Sequence, residues 1–502
     1  MNRTSPHQFS PWKLIRKSSW AFALGLVSAL AMNAPIALAQ STSSTSTSSS
    51  SSSSSRSEYF FHDDVFTNSG DTVLCTRLIA CVLSNYYNRV PAGIFMHQQA
   101  GKYFDKGQLD DAFYSLESSY SEDLKSYTNR NLNPVPMSLN VAQIELLRAS
   151  KMTDSATALV YPTIFPDRVE LLVVPSSGKP IHRTVRVAES AIVPTIGELR
   201  DDLRDASSND YLDPAQKLYN WLILPIDDDL QAAKIKTLIF VMDGPLRVIP
   251  IAALHDGKEF LVQKYALATV PTMGLANFKL RDRRKNNILA MGLTESVQGF
   301  SALPGVEVEV NNISKVLEGS SFLNQTFTLS NLQSQQEKQT YGIVHLATHG
   351  KFVSNTIDGA FIQFWNERLY INDIPQLKFS QSQLELLTLS ACETAVGNNL
   401  GISGMAAQSG VKSVLASLWT VSDAGTMPLM LSFYSEYPTA TSKAIAMQKA
   451  QISLIEGKVR IQDKKVIGIP NLSEIPVPKL GGDINLKHPY YWSSFILVGN
   501  WL

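Results

Sequence analysis

Leu387-Thr388-Leu389-Ser390-Ala391-Cys392-Glu393-Thr394-Ala395 runs apolar into a thiol set among small residues, and Val344-His345-Leu346-Ala347-Thr348-His349-Gly350 runs apolar into an imidazole. Each run has the length and composition of a buried strand, and each ends in small residues. Together they place a thiol and an imidazole just past the ends of two strands, 43 residues apart in sequence. A thiol becomes a nucleophile at neutral pH only with a base or cation beside it. Taken singly, a Cys after an apolar run reads as an ordinary buried residue, and a His at a strand end as a satisfied structural one. It is the pair that points to chemistry.

Around these two runs, strands and helices alternate. Strands are expected at 287–293, 321–329, 341–347, 384–389, 413–418 and 493–498, with helices at 306–317, 402–409, 424–436 and 441–455 and a hairpin at 361–371 around Asn366-Glu367. Strands spaced by helices make a mostly parallel sheet covered on both faces. In such sheets ligands bind beyond the carboxyl ends of the strands, where His349 and Cys392 fall. In the functional reading Cys392 attacks a carbonyl and His349 takes the thiol proton or protonates the leaving amine. The backbone N–H groups of Gly350 and Cys392 would then stabilise the oxyanion, at ~3 kcal/mol per donor. His345 lies four residues before His349; on a helix that spacing would offer a metal pair. On a strand, with no third ligand near, no zinc and no other cofactor is expected.

A third run, Ser417-Leu418-Trp419-Thr420-Val421-Ser422-Asp423, follows the strand at 413–418 and can bring an acidic side chain to the same edge. There Asp423 would select a basic substrate side chain. Its competing role is plain: Asp is a good N-cap for the helix that follows.

Farther upstream, 168–174 and 181–187 read as paired strands, 194–205 and 214–224 as helices, and 235–242 as a strand ending in Asp243-Gly244-Pro245. Residues 95–125 read as a helical hairpin broken at Gly107. Ala100, Tyr103, Gly107, Ala112 and Leu116 have the spacing of one tetratricopeptide unit, without a second copy. Residues 41–57 are Ser and Thr except for Arg56 and read as a flexible tether.

The chain has 502 residues, 44% of them hydrophobic, with 44 basic and 44 acidic side chains. The balance hides an asymmetry. Residues 1–39 hold four basic and no acidic side chains, a 13-residue apolar run at 20–32, and Ala37-Leu38-Ala39 before Gln40. This is the pattern of a secretory signal peptide, too short for a comfortable membrane span. The expected mature chain is mildly acidic, which argues against nucleic-acid binding, and no stable membrane span is expected after cleavage. Three cysteines leave one thiol over in an oxidising compartment. Cys75 and Cys81 can pair or stand as two buried thiols; either leaves Cys392 free.

The segments 345–350, 389–395 and 417–423 together resemble the CHAT domain, a member of the caspase, separase and gingipain group of cysteine peptidases. His488-Pro489-Tyr490-Tyr491-Trp492-Ser493-Ser494-Phe495 and the run Asp243-Gly244-Pro245-Leu246-Arg247-Val248-Ile249-Pro250 fit as well. The resemblance implies an α/β, caspase-hemoglobinase-like fold: a mostly parallel sheet flanked by helices. It implies His349 and Cys392 as the dyad, and Asp423 as an acidic residue that prefers Arg or Lys before the cleaved bond. After the signal peptide (1–39), the Ser/Thr linker (40–57) and a helical region with one tetratricopeptide-like hairpin (58–164), it implies an inactive caspase-like half (165–285) and a catalytic half (286–502). The family's usual repeat array is missing, which puts a substrate-recruiting superhelix in doubt.

The leading expectation is therefore an exported bacterial cysteine endopeptidase, periplasmic or extracellular, acting on protein or peptide substrates under a regulatory protein partner. The alternative is a catalytically silent CHAT module that serves as an interaction scaffold; the intact dyad argues against it. A thiol acyltransferase of unrelated fold has little support, with no Gly-x-Ser-x-Gly signature in view.

Overall fold

The computed structural model describes residues 91–128, 134–276, 278, 287–351, 361–370, 373–374, 377, 379, 384–390, 410–419, 421–480 and 482–502. The expected signal peptide, the Ser/Thr tether, Cys75, Cys81, Cys392 and the helix at 402–409 lie outside the described residues.

Two helices open the fold, α1 (Pro91–Asp105) and α2 (Leu109–Thr128). Gly107 joins them at φ +68°, a left-handed conformation that a side chain would strain. A third helix, α3 (Leu139–Thr153), is capped by Ser138. Next come β1 (Thr157–Phe165), β2 (Arg168–Pro175), β3 (Ile181–Val185), α4 (Glu189–Asp202), α5 (Leu212–Leu222), α6 (Leu224–Ala232), β4 (Thr237–Phe240) and β5 (Ala266–Thr269). The remainder contains β6 (Ile288–Gly292), α7 (Pro304–Val316), β7 (Ser320–Leu323), α8 (Leu329–Lys338), β8 (Ile343–Ala347), β9 (Gly350–Lys351), β10 (Phe361–Gln363), β11 (Arg368–Tyr370) and β12 (Leu386–Ser390). It ends with β13 (Ser413–Ser417), α9 (Asp423–Glu436), α10 (Lys443–Ile455), β14 (Arg460–Gln462), β15 (Lys465–Ile467), β16 (Ile475–Pro476) and β17 (Phe495–Gly499).

Residues 157–164, at the end of the span read as helical, are strand. The reason is that β1 is buried along its whole length, so it carries no alternation of apolar and polar residues. Pro162 is tolerated inside it because the pairing with β4 stops at Val160, so no ladder bond needs its missing N–H.

Eleven strands form one sheet in the order β3-β2-β1-β4-β5-β17-β13-β12-β8-β6-β7. Within it β1, β4, β5 and β17 run parallel, as do β13, β12, β8, β6 and β7. The two sets run in opposite directions, because β17 is antiparallel to β13. In the second set, alternate residues face different cores. Ile343 and Ala347 of β8 join the large core shared with the first set, whereas Val344 and Leu346 join a second core with Phe327, Phe364 and Leu369.

The helical hairpin is fixed to the first set by buried polar groups. Glu117 of α2 accepts from the Tyr161 hydroxyl (2.8 Å), the Thr272 hydroxyl (3.2 Å) and the N–H groups of Met273 (3.0 Å) and Gly274 (3.1 Å). His97 of α1 lies 3.0 Å from Asp243, which follows β4 and also accepts from the Ile164 N–H at 3.0 Å. The carboxyl end of β4 is thus filled by a buried side-chain pair.

Candidate active site

The ladder between β8 and β12 pairs Ile343 with Leu386 through to Ala347 with Ser390. It continues one step further, where the Thr348 N–H donates to the Ser390 carbonyl at 3.1 Å. Thr348 is then tied sideways by its hydroxyl, which donates to the Gln363 carbonyl at 2.6 Å. Gly292, at the end of β6, keeps this corner closed; a Cβ there would stand 2.6 Å from the Ala347 carbonyl.

His349 follows at once and is 8% exposed. Its Nε2 lies 2.8 Å from the Ser301 carbonyl oxygen. A carbonyl only accepts, so Nε2 carries a proton and Nδ1 is the basic nitrogen of the neutral ring. Phe300 stacks on the ring, with centroids 4.7 Å apart and planes 18° from parallel. Burial holds the imidazole below its ordinary pKa, partly offset by the Ser301 bond. The ring is therefore neutral at physiological pH, the form a general base needs.

Gly350 opens β9 opposite Ile362. The Gln363 N–H donates to the His349 carbonyl at 2.9 Å. That bond makes His349 and Gln363 a hydrogen-bonded pair, so the next pair, Gly350 with Ile362, is a non-hydrogen-bonded position of the ladder and the Gly350 N–H turns away from β10.

Asp423 is the first residue of α9; Ser422 holds the N-cap position. The carboxylate reaches across to a different helix, accepting from the Gly305 N–H at 2.6 Å. It thereby caps α7, whose own N-cap residue, Leu303, has no side-chain acceptor to offer. Gly305 permits the approach, since a Cβ there would meet Asp423 Oδ1 at 2.7 Å. Burial, and more weakly the nearby Glu309, push the Asp423 carboxyl up to about 6, against the lowering effect of the Gly305 bond. Among the described residues no cationic side chain meets it.

His349 and Asp423 thus stand at the two ends of one short segment, 300–305. Phe300, Ser301 and Gly305 were not singled out in the sequence. The available signal was a helix starting at Pro304 without a capping side chain before it, which leaves N–H groups seeking an acceptor elsewhere. Gly305 also lines a groove of about 540 Å³ between α7 and the run Ile475 to Leu480.

The other sequence candidates separate. His345 is fully buried under the sheet, with Nε2 2.8 Å from Glu309 and Nδ1 3.2 Å from the Tyr434 hydroxyl, so it belongs to the core. Trp419 is likewise core. Cys392, with its backbone N–H, lies outside the described residues. No helix among the described residues is long and apolar enough to cross a membrane.

A family model described as the CHAT domain matches residues 212–500, more than half of the chain. The chain belongs to the CHAT domain family. Among solved structures it is similar to the Saccharomyces cerevisiae separase–securin complex, at a TM-score of 0.50 and 10% identity over 84% of this chain and 34% of that one. It also matches the Arg-specific cysteine proteinase gingipain R, at a TM-score of 0.35 and 10% identity over 62% of this chain and 74% of that chain. This CHAT protein therefore spans about a third of the separase chain it matches. None of the curated proteins matches it. At such identities the likeness concerns the fold, which is α/β and caspase-like with a large, mostly parallel sheet flanked by helices.

Proposed function

We propose that this CHAT protein is an exported cysteine endopeptidase that uses His349 and Cys392 and cleaves after Arg or Lys. The observation that carries the reading is the state of His349. It is a neutral imidazole at a strand end, held by Nε2 and by Phe300 so that Nδ1 is the basic nitrogen. Cys392 follows Ser390 by two peptide units, which covalent geometry limits to about 7 Å. Ser390 is itself bonded to Thr348, the neighbour of His349.

In the reaction, His349 Nδ1 takes the thiol proton and the Cys392 sulfur bonds to the substrate carbonyl carbon. The Gly350 N–H, turned from its ladder, serves the oxyanion together with the Cys392 N–H. The imidazolium then gives its proton to the leaving amine as the peptide bond breaks. Water releases the acyl group from sulfur, and the thiol and imidazole return to their starting forms. Asp423 supplies the preference for a basic side chain. A buried carboxylate met, among the described residues, by one N–H and no cation is costly to ionise, and a substrate guanidinium or ammonium would relieve that cost. The neighbouring groove, with Ile475, Val477 and Leu480 in its lining, suits an extended peptide. Export rests on residues 1–39, and a mature chain beginning at Gln40 on N-terminal sequencing would support it.

Residues 40–502 incubated with a peptidyl acyloxymethylketone ending in Arg should gain one adduct by intact mass, absent in Cys392→Ala. No adduct, while small thiol reagents still reach Cys392, would overturn the peptidase reading in favour of a binding module.

A further inference from the structure

The segment 301–305 is anchored unevenly. Just before its start the Phe300 N–H donates to the Val297 carbonyl at 2.8 Å, and at its middle the Leu303 N–H reaches the Thr294 carbonyl at 3.2 Å. Ser301 and Ala302 between them are exposed. At its far end the Gly305 N–H is held by the Asp423 carboxylate. The Ser301 carbonyl that fixes His349 Nε2 therefore sits on an exposed stretch held downstream at Leu303 by the Thr294 carbonyl and, two residues on, at Gly305 by Asp423.

We propose that Asp423 has a second task at this site: it is a positioning residue for His349, acting through its hydrogen bond to Gly305 and the short segment that ends in the Ser301 carbonyl. The inference rests on the reading of His349 as the dyad's imidazole. It adds that the pocket and the base are one mechanical unit, so a substrate side chain that draws on Asp423 also acts on the segment orienting the ring.

Three observations favour it. Position 305 is glycine, the residue that lets the carboxylate stand against the backbone, with Oδ1 2.7 Å from where a Cβ would be. The N-cap residue of α7 offers no competing acceptor. The contact also needs only an acceptor oxygen: the Gly305 bond favours the ionised carboxylate, but an amide oxygen can take the same N–H. The two tasks of Asp423 are thus separable by chemistry. The negative charge serves a cationic substrate, and the oxygen serves the segment.

The test is an NMR titration of isotope-labelled histidines in residues 40–502, with the His349 signal assigned by its loss in His349→Gln. Asp423→Asn should leave the His349 midpoint at the wild-type value. Asp423→Ala should raise it toward the ordinary imidazole value, because release of the segment admits water to a ring now held low by burial. Ala302→Gly, at an exposed position that folding tolerates, should raise it by a smaller amount by slackening the link. An unmoved midpoint in Asp423→Ala overturns the proposal, and so do equal shifts in the Asn and Ala forms, which would mean that charge alone couples the two groups. Should Asp423→Ala not fold, an unmoved midpoint in Ala302→Gly overturns it. No turnover is involved, so this test fails independently of the Cys392 adduct.

Discussion

A carbonyl oxygen at Nε2 decides which nitrogen of His349 can act as a base, and burial decides that it is free to do so at neutral pH. Asp423 imposes the opposite limit. With its carboxyl at about 6, it is ionised only above that pH in the free protein. The specificity constant for Arg peptides should therefore fall as pH drops through about 6, whereas alkylation of Cys392 by iodoacetamide, which needs no acidic pocket, should not follow that profile. Parallel profiles would remove Asp423 from substrate selection. The same carboxyl carries a stability consequence. Its folded pKa lies above the ordinary 3.8, so between about 4 and about 6 the folded chain binds more protons than the unfolded one. Stability then declines as pH rises through that window. Asp423→Asn, which keeps an acceptor for Gly305 and loses the charge, should be more stable than wild type at pH 7.5 by up to about 3 kcal/mol, or roughly 2–4 °C in melting temperature. Near pH 4 the two should melt together. A less stable Asn form at pH 7.5 would mean that the ionised carboxylate is itself a stabilising cap.

At the scale of elements, the strands that deliver the site are joined to their covering helices by a buried polar chain. His345 of β8 meets Glu309 of α7 and Tyr434 of α9, and the Tyr434 hydroxyl donates to Thr388 of β12 at 2.7 Å. Tyr434→Phe leaves two fully buried polar side chains short of a partner and should cost about 1–3 kcal/mol in urea unfolding; a neutral result would show that water replaces the hydroxyl. Much of this layer was legible in the sequence, since β8, β12 and β13 are apolar runs of strand length ended by small residues. Less legible were elements that lack a periodic signal. Wholly buried β1 shows no alternation. The β14–β15 hairpin turns at Asp463 and Lys464, both at positive φ (51° and 55°), without the glycine that normally marks such a turn. Strand β9 is two residues long and exists only because β10 is there to pair with it. The site divides in the same way. His349 was legible as the residue past a strand end, but the Ser301 carbonyl and the Gly305 N–H are backbone groups, and no residue type announces them.

On the scale of the whole molecule, the last strand in sequence is the middle strand of the sheet. β17 pairs with β13 over five residue pairs and with β5 through one, Val498 with Thr269. The strand thus belongs mainly to the second set and is the seam along which the first set docks. Side chains reinforce the seam. Arg200 of α4 donates to the Leu418 carbonyl at 3.2 Å, at the end of β13 before the turn that carries Asp423. Gln448 of α10 donates to the Val262 carbonyl at 2.8 Å, and His488 lies 2.8 Å from the Ser208 carbonyl. Phe260 packs edge-on against Trp492, with ring centroids 4.9 Å apart. The large apolar core runs through both sets without a break. Neither set is then expected to stand alone, because separation would bare to water the apolar core that the two sets share. Produced as two chains in one cell, residues 58–278 and 286–502 should co-purify as a 1:1 complex that melts in one transition. Each produced alone should aggregate. Two soluble, independently melting pieces would show that the seam is a loose contact, and Arg200 would then have no hold on the turn that presents Asp423.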